Sequence, residues 1–440
     1  MNVPLDNLYH WIQGLARHPV ILYVFRPHGS KDIFDMDQFE QSPIAYQAPM
    51  IPLIICHDQE PLNFDLHQFE FDLERVRQLF LRRGWPEDKL EMDFYSHLLS
   101  FSKFKPNWLS AGINWNDWFI LLHSEQNSQD VEKFSHTGFI PVYYWSHAMI
   151  ARDWYRFAQH DTRLIDRTIQ KTFLVYCRDW MPRREYRLKF LDLLISAGLV
   201  DDCIISTQHV NDQGVRLGDY QPQDPRFAVD TQRLEIIPNN NTGPFASADY
   251  QASDITSTAI SVVLETVVDG SKIHLTEKIL RPIACGHPFV LAAGPGSLNY
   301  LRRYGFQTFE SVFDESYDLE TNTVARLELI VQTMQQVQKL SPESWQEINA
   351  IAAYNKQHFF SDKFTNQVTA ELQSNLDKAV EFNLDNRGDT FWQWRKIMRR
   401  TGLCHQYSDF KSERFKNTIR EQRKYRLRRS HNSTIPIIGQ

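Results

Sequence analysis

The residues best suited to chemistry lie in the stretch 260–306, ISVVLETVVDGSKIHLTEKILRPIACGHPFVLAAGPGSLNYLRRYGF. Glu265 closes a continuous apolar run, and Thr276, Glu277 and Lys278 open a segment with helical spacing. Thr276 suits an N-cap, because its hydroxyl can accept an orphan N–H of the first turn. A helix start concentrates unpaired N–H groups and the positive end of the peptide dipole, so with Lys278 added it suits a phosphate group. A second set, His57, Asp58 and Glu60, follows the apolar run MIPLIIC. A single carboxylate within reach of a substrate hydroxyl can act as general base; equally, Asp58 can cap a strand-end turn that Pro61 breaks. The third set is the arginine-rich segment 178–187, RDWMPRREYR. Arginine offers bidentate contact to phosphate, and a solvated charged face is the competing reading. His123, Glu125, His147 and Arg152 follow further apolar runs, where each fits the rim of a site or a structural hydrogen bond.

Such sets need a scaffold, and the apolar runs supply one. Residues 19–25 (PVILYVF), 50–56 (MIPLIIC), 118–123 (WFILLH) and 139–145 (FIPVYYW) predict buried strands, with helices at 66–84 and 148–159. Strands alternating with helices, each strand ending in a polar cluster, predict an α/β layer with its loops on one rim. The polar residues 160–170 read as a linker. A second α/β series follows: strands at 171–177, 203–206, 260–266 and 288–293, and helices at 188–197 and 276–286, the last stopped by Gly286 and Pro288. Between 209 and 256 only 234–237 reads as a strand. Residues 343–380 carry helical spacing and are expected to pack back across both series. Asp35-Met36-Asp37 matches an acidic D-x-D, which follows no convincing strand and reads as a solvated loop.

At 440 residues the chain is too long for one ordinary core. Its five cysteines, Cys56, Cys177, Cys203, Cys285 and Cys404, are odd in number and never in CxxC spacing, which predicts buried free thiols rather than a disulfide framework. No apolar run approaches the roughly 18 residues of a membrane span. Asp6 and Trp11 stand where a signal peptide needs a basic start and an apolar stretch. The expected location is cytoplasmic. The net charge of −6 hides an asymmetry, because residues 395–429 carry 13 Lys and Arg against Asp409, Glu413 and Glu421. That excess predicts an anionic partner, either a membrane surface at which the protein sits peripherally or a nucleic acid, with a solvated helix as the bland alternative.

VLET…GSKIHLTEKI…GHPFVLAAGP resembles the donor-site segment of the α1,3-fucosyltransferase-like family, where a strand ending in F-E-N precedes (Y/H)-x-T-E-K, a helix and a strand leading to a Gly-containing loop. CRDWMPRRE resembles that family's S-N-x(5)-R segment, with the arginine falling on Arg184. CHDQEPLNFDL resembles its T-G-E-N-x-x-P-N-F-N-L segment, with the catalytic glutamate falling on Asp58 and Glu60 two residues on. The chain departs from the family at Thr266, at His274 and at the Cys177-Arg178 pair, which leaves the sugar open.

The resemblance implies a GT-B fold, two Rossmann-like domains facing a central cleft. Set on the strand and linker pattern, it makes 1–160 an acceptor domain and 171–340 a nucleotide-sugar donor domain; helical spacing gives crossing helices at 341–385, and composition gives a basic aromatic tail at 386–440. The resemblance further implies inverting, metal-independent transfer from a nucleotide diphosphate sugar, with no cofactor besides that donor. Arg184 and Lys278 would neutralise the diphosphate, Glu277 would hold the ribose, and Glu265, His274 and Thr276 would complete the donor site. Asp58 or Glu60 would deprotonate the acceptor hydroxyl, with His57, His123, Glu125 and His147 around it. The acceptor would be a glycan, lipid-linked or polysaccharide hydroxyl. Transfer to a modified DNA base and a non-catalytic nucleotide-sugar-binding protein are the alternatives.

Overall fold

A computed structural model describes residues 8–15, 21–24, 53–62, 119–136, 139–211, 213–238 and 249–386. The D-x-D at 35–37, the helix expected at 66–84 and the basic tail lie outside the described residues. The chain divides into two compact units. Among the described residues no helix is long and apolar enough to cross a membrane.

The first unit holds α1 (Leu8–Leu15), β1 (Ile21–Val24), β2 (Leu53–Cys56), β3 (Phe119–His123), α2 (Gln129–His136) and β4 (Ile140–Tyr143). Its four described strands are parallel and lie side by side in chain order. Ile54, Ile120, Leu121, Leu122, Ile140 and Val142 are all fully buried. That burial on both faces explains why these strands read as unbroken apolar runs rather than as alternating ones. Each such side chain contributes roughly 1.5–3 kcal/mol, which fixes the register of short strands.

The second unit comprises Glu125–Ser128 and Trp145–Ala370. It holds α3 (Ser146–Trp154), β5 (Lys171–Cys177), α4 (Tyr186–Ser196), β6 (Cys203–Thr207), α5 (Ala252–Ser257), β7 (Thr258–Leu264), α6 (Glu277–Cys285), β8 (Phe289–Ala292), α7 (Ser297–Arg303), α8 (Thr323–Val337) and α9 (Pro342–Phe359). Helix α10 (Asp362–Asn386), the last among the described residues, belongs to this unit up to Ala370 and to the first from Glu371. The sheet is parallel, in the order β6-β5-β7-β8. The chain leaves β5 towards β6 and returns on the other side of β5 as β7. Loops after β5 and β7 therefore part from each other, and such a switch point is where open parallel sheets leave room for a ligand.

Residues 145–154 are fastened within this second unit. Trp145 is fully buried among Tyr300, Tyr304, Phe306 and Phe364, with ring centroids 4.8–6.2 Å away, and its indole N–H donates to Leu275 O at 2.9 Å. The Arg152 guanidinium donates to the carbonyls of Phe359, Phe360 and Ser361, capping the negative end of α9.

The strand expected at 234–237 is instead part of the 3-10 helix Thr231–Ile236. Asp230 caps it by accepting the N–H of Gln232 at 3.1 Å. Leu234 and Ile237 are buried while Ile236 is 64% exposed, a period of three that strand alternation could not provide. Cys56, Cys177, Cys203 and Cys285 are buried free thiols. Burial pushes Cys177 up to about 11, which leaves it inert.

Candidate functional site

The switch point of the second unit gathers much of the sequence-selected chemistry. Apolar β7 delivers Glu265 to its carboxyl end, fully buried. The Glu265 carboxylate accepts the backbone N–H of Thr276 at 3.1 Å and of Ile279 at 3.3 Å, and the Thr276 hydroxyl at 2.7 Å. It thus satisfies orphan donors of α6 from beneath. Burial raises its pKa, opposed by Lys278 and the Thr276 hydrogen bonds. With its oxygens engaged by its own chain, Glu265 holds the loop in place.

Thr276 is the N-cap of α6, its hydroxyl accepting the N–H of Lys278 at 3.3 Å. The Lys278 ammonium lies 2.8 Å from Glu277 Oε1 and 3.2 Å from Thr276 Oγ1, its side chain 16% exposed. The other Glu277 oxygen lies 3.4 Å from His147 Nδ1. The His274 ring meets that of His147 edge-on at 5.4 Å, and the Tyr155 hydroxyl donates to Glu277 O. The α3 segment thereby fixes the Glu277 carboxylate, a link that spans about 130 residues of chain and leaves no trace in local sequence. Glu125 also belongs here: it forms a buried ion pair with Lys272 at 3.0 Å, beside the paired backbones of Gln126 and Ile273. The loop between β8 and α7 closes in as well. A Cβ on Gly294 would meet the Asp269 carbonyl at 2.9 Å and that of Lys272 at 3.0 Å, so only glycine fits.

The loop after β5 carries Arg178, Arg183, Arg184 and Arg187 along with Asp179 and Glu185. Arg187 is buried and spent on carbonyls, donating to Asp179 O at 2.6 Å and Leu264 O at 2.8 Å. Tyr186 donates to Glu265 O. These two side chains, unremarked in the sequence except as part of a charged run, tie the β5 loop to the end of β7. Arg184 is half-buried and pairs with Asp179. Its backbone N–H donates to Met181 O at 2.8 Å, closing the turn Met181-Pro182-Arg183-Arg184.

In the first unit, β2 ends in His57, Asp58 and Gln59, all buried. The Asp58 carboxylate accepts the Tyr9 hydroxyl at 3.2 Å on one oxygen and the Tyr144 hydroxyl on the other, while Gln59 donates to Tyr9. The Ser124 hydroxyl donates to Asp58 O at 2.8 Å. Burial and then the Asp58 charge push both phenols well above their usual range, so they remain donors. Glu60 is half-buried. His123 is buried at the end of β3, its ring 5.9 Å from Tyr143. Tyr9 and Tyr144 lie 49 and 86 residues from Asp58, and no sequence pattern announces them.

Among the described residues no group of three or more His, Cys, Asp or Glu side chains could hold a metal ion. No protein-family model matches the chain, and no curated protein matches its sequence.

Proposed function

We propose that this chain is a GT-B-type glycosyltransferase, inverting and metal-independent, that moves a sugar from a nucleotide diphosphate sugar to an acceptor hydroxyl. The observation that carries the reading is the switch point between β5 and β7, flanked by an arginine-bearing turn and by a helix start with Lys278 in its first turn. A guanidinium from the arginine-bearing turn and the Lys278 ammonium meet the charge that develops on a departing diphosphate. Glu277, set by His147 and Lys278, offers a carboxylate to ribose hydroxyls. Glu265 and Thr276 hold these groups in position.

Asp58 is sealed and accepts two phenols, so the half-buried Glu60 is the better candidate to take the acceptor proton. As that proton leaves, the acceptor oxygen bonds to the anomeric carbon and the bond to the diphosphate oxygen breaks on the opposite face. The sealing of Asp58 also favours a second reading, a nucleotide-sugar-binding protein without turnover.

A thermal-shift screen of nucleotide sugars, followed by assay of diphosphate release, separates the two. A ligand that binds only the folded chain raises its melting temperature by mass action. Stabilisation with turnover that is lost in Glu60→Gln supports the transferase, and stabilisation without turnover supports the binder. No shift with any nucleotide sugar would sink both.

A further inference from the structure

The turn after β5 joins two observations that local propensity sets against each other. The Arg184 N–H to Met181 O bond, with Pro182 at the second position, builds a four-residue turn. Arg183, at the third position, has φ +78°. Those features define a type II turn, whose third residue lies in the left-handed region and is ordinarily Gly or Asn. The Cβ of an L-residue is disfavoured there. Arg183 is exposed and makes no hydrogen bond or ion pair among the described residues, so none of them repays its conformation.

The other arginines of the loop are committed. Arg187 is spent on carbonyls and Arg184 is paired with Asp179. We infer that Arg183 is a further anion-binding residue, kept at a glycine position so that its guanidinium contacts the diphosphate of a nucleotide ligand at the β5–β7 switch point. Strained residues persist where the strain serves a ligand, and Arg183 supplies an uncommitted planar fork beside a site already rich in donors. The inference rests on the proposed function, since it names a ligand contact of that same site.

The test uses the full-length chain with Arg183→Gly, Arg183→Asn and Arg183→Lys, titrated with inorganic pyrophosphate, UDP, GDP and TDP, and melted without ligand. Gly and Asn accept the left-handed backbone. Both should melt at or up to about 2 °C above the unsubstituted chain, while binding of whichever diphosphate the chain recognises weakens about tenfold or more. Arg183→Lys keeps the charge without the fork and should fall between. Binding within about twofold of the unsubstituted chain in both Gly and Asn variants overturns the inference alone. So does a melting temperature several degrees lower in both, which would make the arginine a structural residue. If the unsubstituted chain binds none of the four probes, the parent reading fails and the inference falls with it.

Discussion

Beyond the carboxyl ends of β5 and β7, Arg183 and Lys278 stay within reach of solvent; at the carboxyl end of β2, Asp58 is closed off. Lys278 is 16% exposed and Arg183 is exposed, whereas Asp58 has no exposure and meets a phenol on each oxygen. The difference begins with strand order. In the second unit β5 sits between β6 and β7, so loops diverge and leave a gap above the sheet. In the first unit the four described strands follow chain order, with no reversal between neighbours to part their loops. Polar groups after β2 are instead absorbed by Tyr9, Tyr144 and Ser124. Two parallel sheets with similar apolar strands thus present a polar cluster in opposite ways, as an accessible cation and as a buried, satisfied acid.

Substitutions can break or sharpen this contrast. The largest effect is expected from Lys278→Ala, which should lower kcat/KM with a nucleotide sugar by about 10²–10³-fold and leave the melting temperature nearly unchanged; steady-state kinetics beside calorimetry would show it. Full activity in that variant would remove the functional half of the comparison. Asp58→Asn comes next. It replaces a charged acceptor of two phenols with a group that can accept from only one without rearrangement, so urea unfolding should report a loss of about 2–3 kcal/mol. An unchanged midpoint would mean the acid is less tightly held than its burial implies.

The opposite edge of the second sheet gives a control. His287, at the amino end of β8, is fully buried; its Nδ1 accepts the Ser261 hydroxyl at 2.8 Å and its Nε2–H donates to Thr258 O at 2.9 Å. Burial, with Arg167 nearby, lowers its pKa to about 3. The folded state keeps the ring neutral while the unfolded chain takes up a proton below about 6.5. The contribution is therefore complete above pH 6.5 and is lost as pH falls from there towards 3, at about 1.4 kcal/mol per pH unit. His287→Asn should flatten that part of the acid limb in pH-dependent unfolding and leave ligand binding untouched. The smallest effect belongs to Thr276→Ala. Loss of the cap and of the hydroxyl given to Glu265 should cost about 1 kcal/mol, read as a small drop in melting temperature with a weaker nucleotide complex.

Local signals were enough to mark the strands and the start of α6. LIIC, FILLH, KTFLVYC and TAISVVL are dominated by apolar residues because most of their described side chains are buried, and Thr276-Glu277-Lys278 followed by Gly286 carries its own start and stop. The same logic missed the 3-10 helix near Leu234, where a period of three can be mistaken for a short strand. It could not distinguish Asp58 from Glu60 either, because Asp58's neutral partners come from distant parts of the chain.

Composition and short-range spacing by themselves determined that this polypeptide forms parallel α/β layers and that a lysine stands at a helix start. Those properties depend on backbone preferences and apolar periodicity within a few residues. Only the tertiary structure decided which charges are spent and which remain available. It gave Arg187 to two carbonyls, Arg184 to Asp179, Glu265 to the turn beneath α6 and Asp58 to two tyrosines, and it left Arg183 uncommitted in a glycine's conformation. The physical reason is that a charge's role depends on the donors, acceptors and solvent around it, and folding sets these through contacts made across dozens to hundreds of residues.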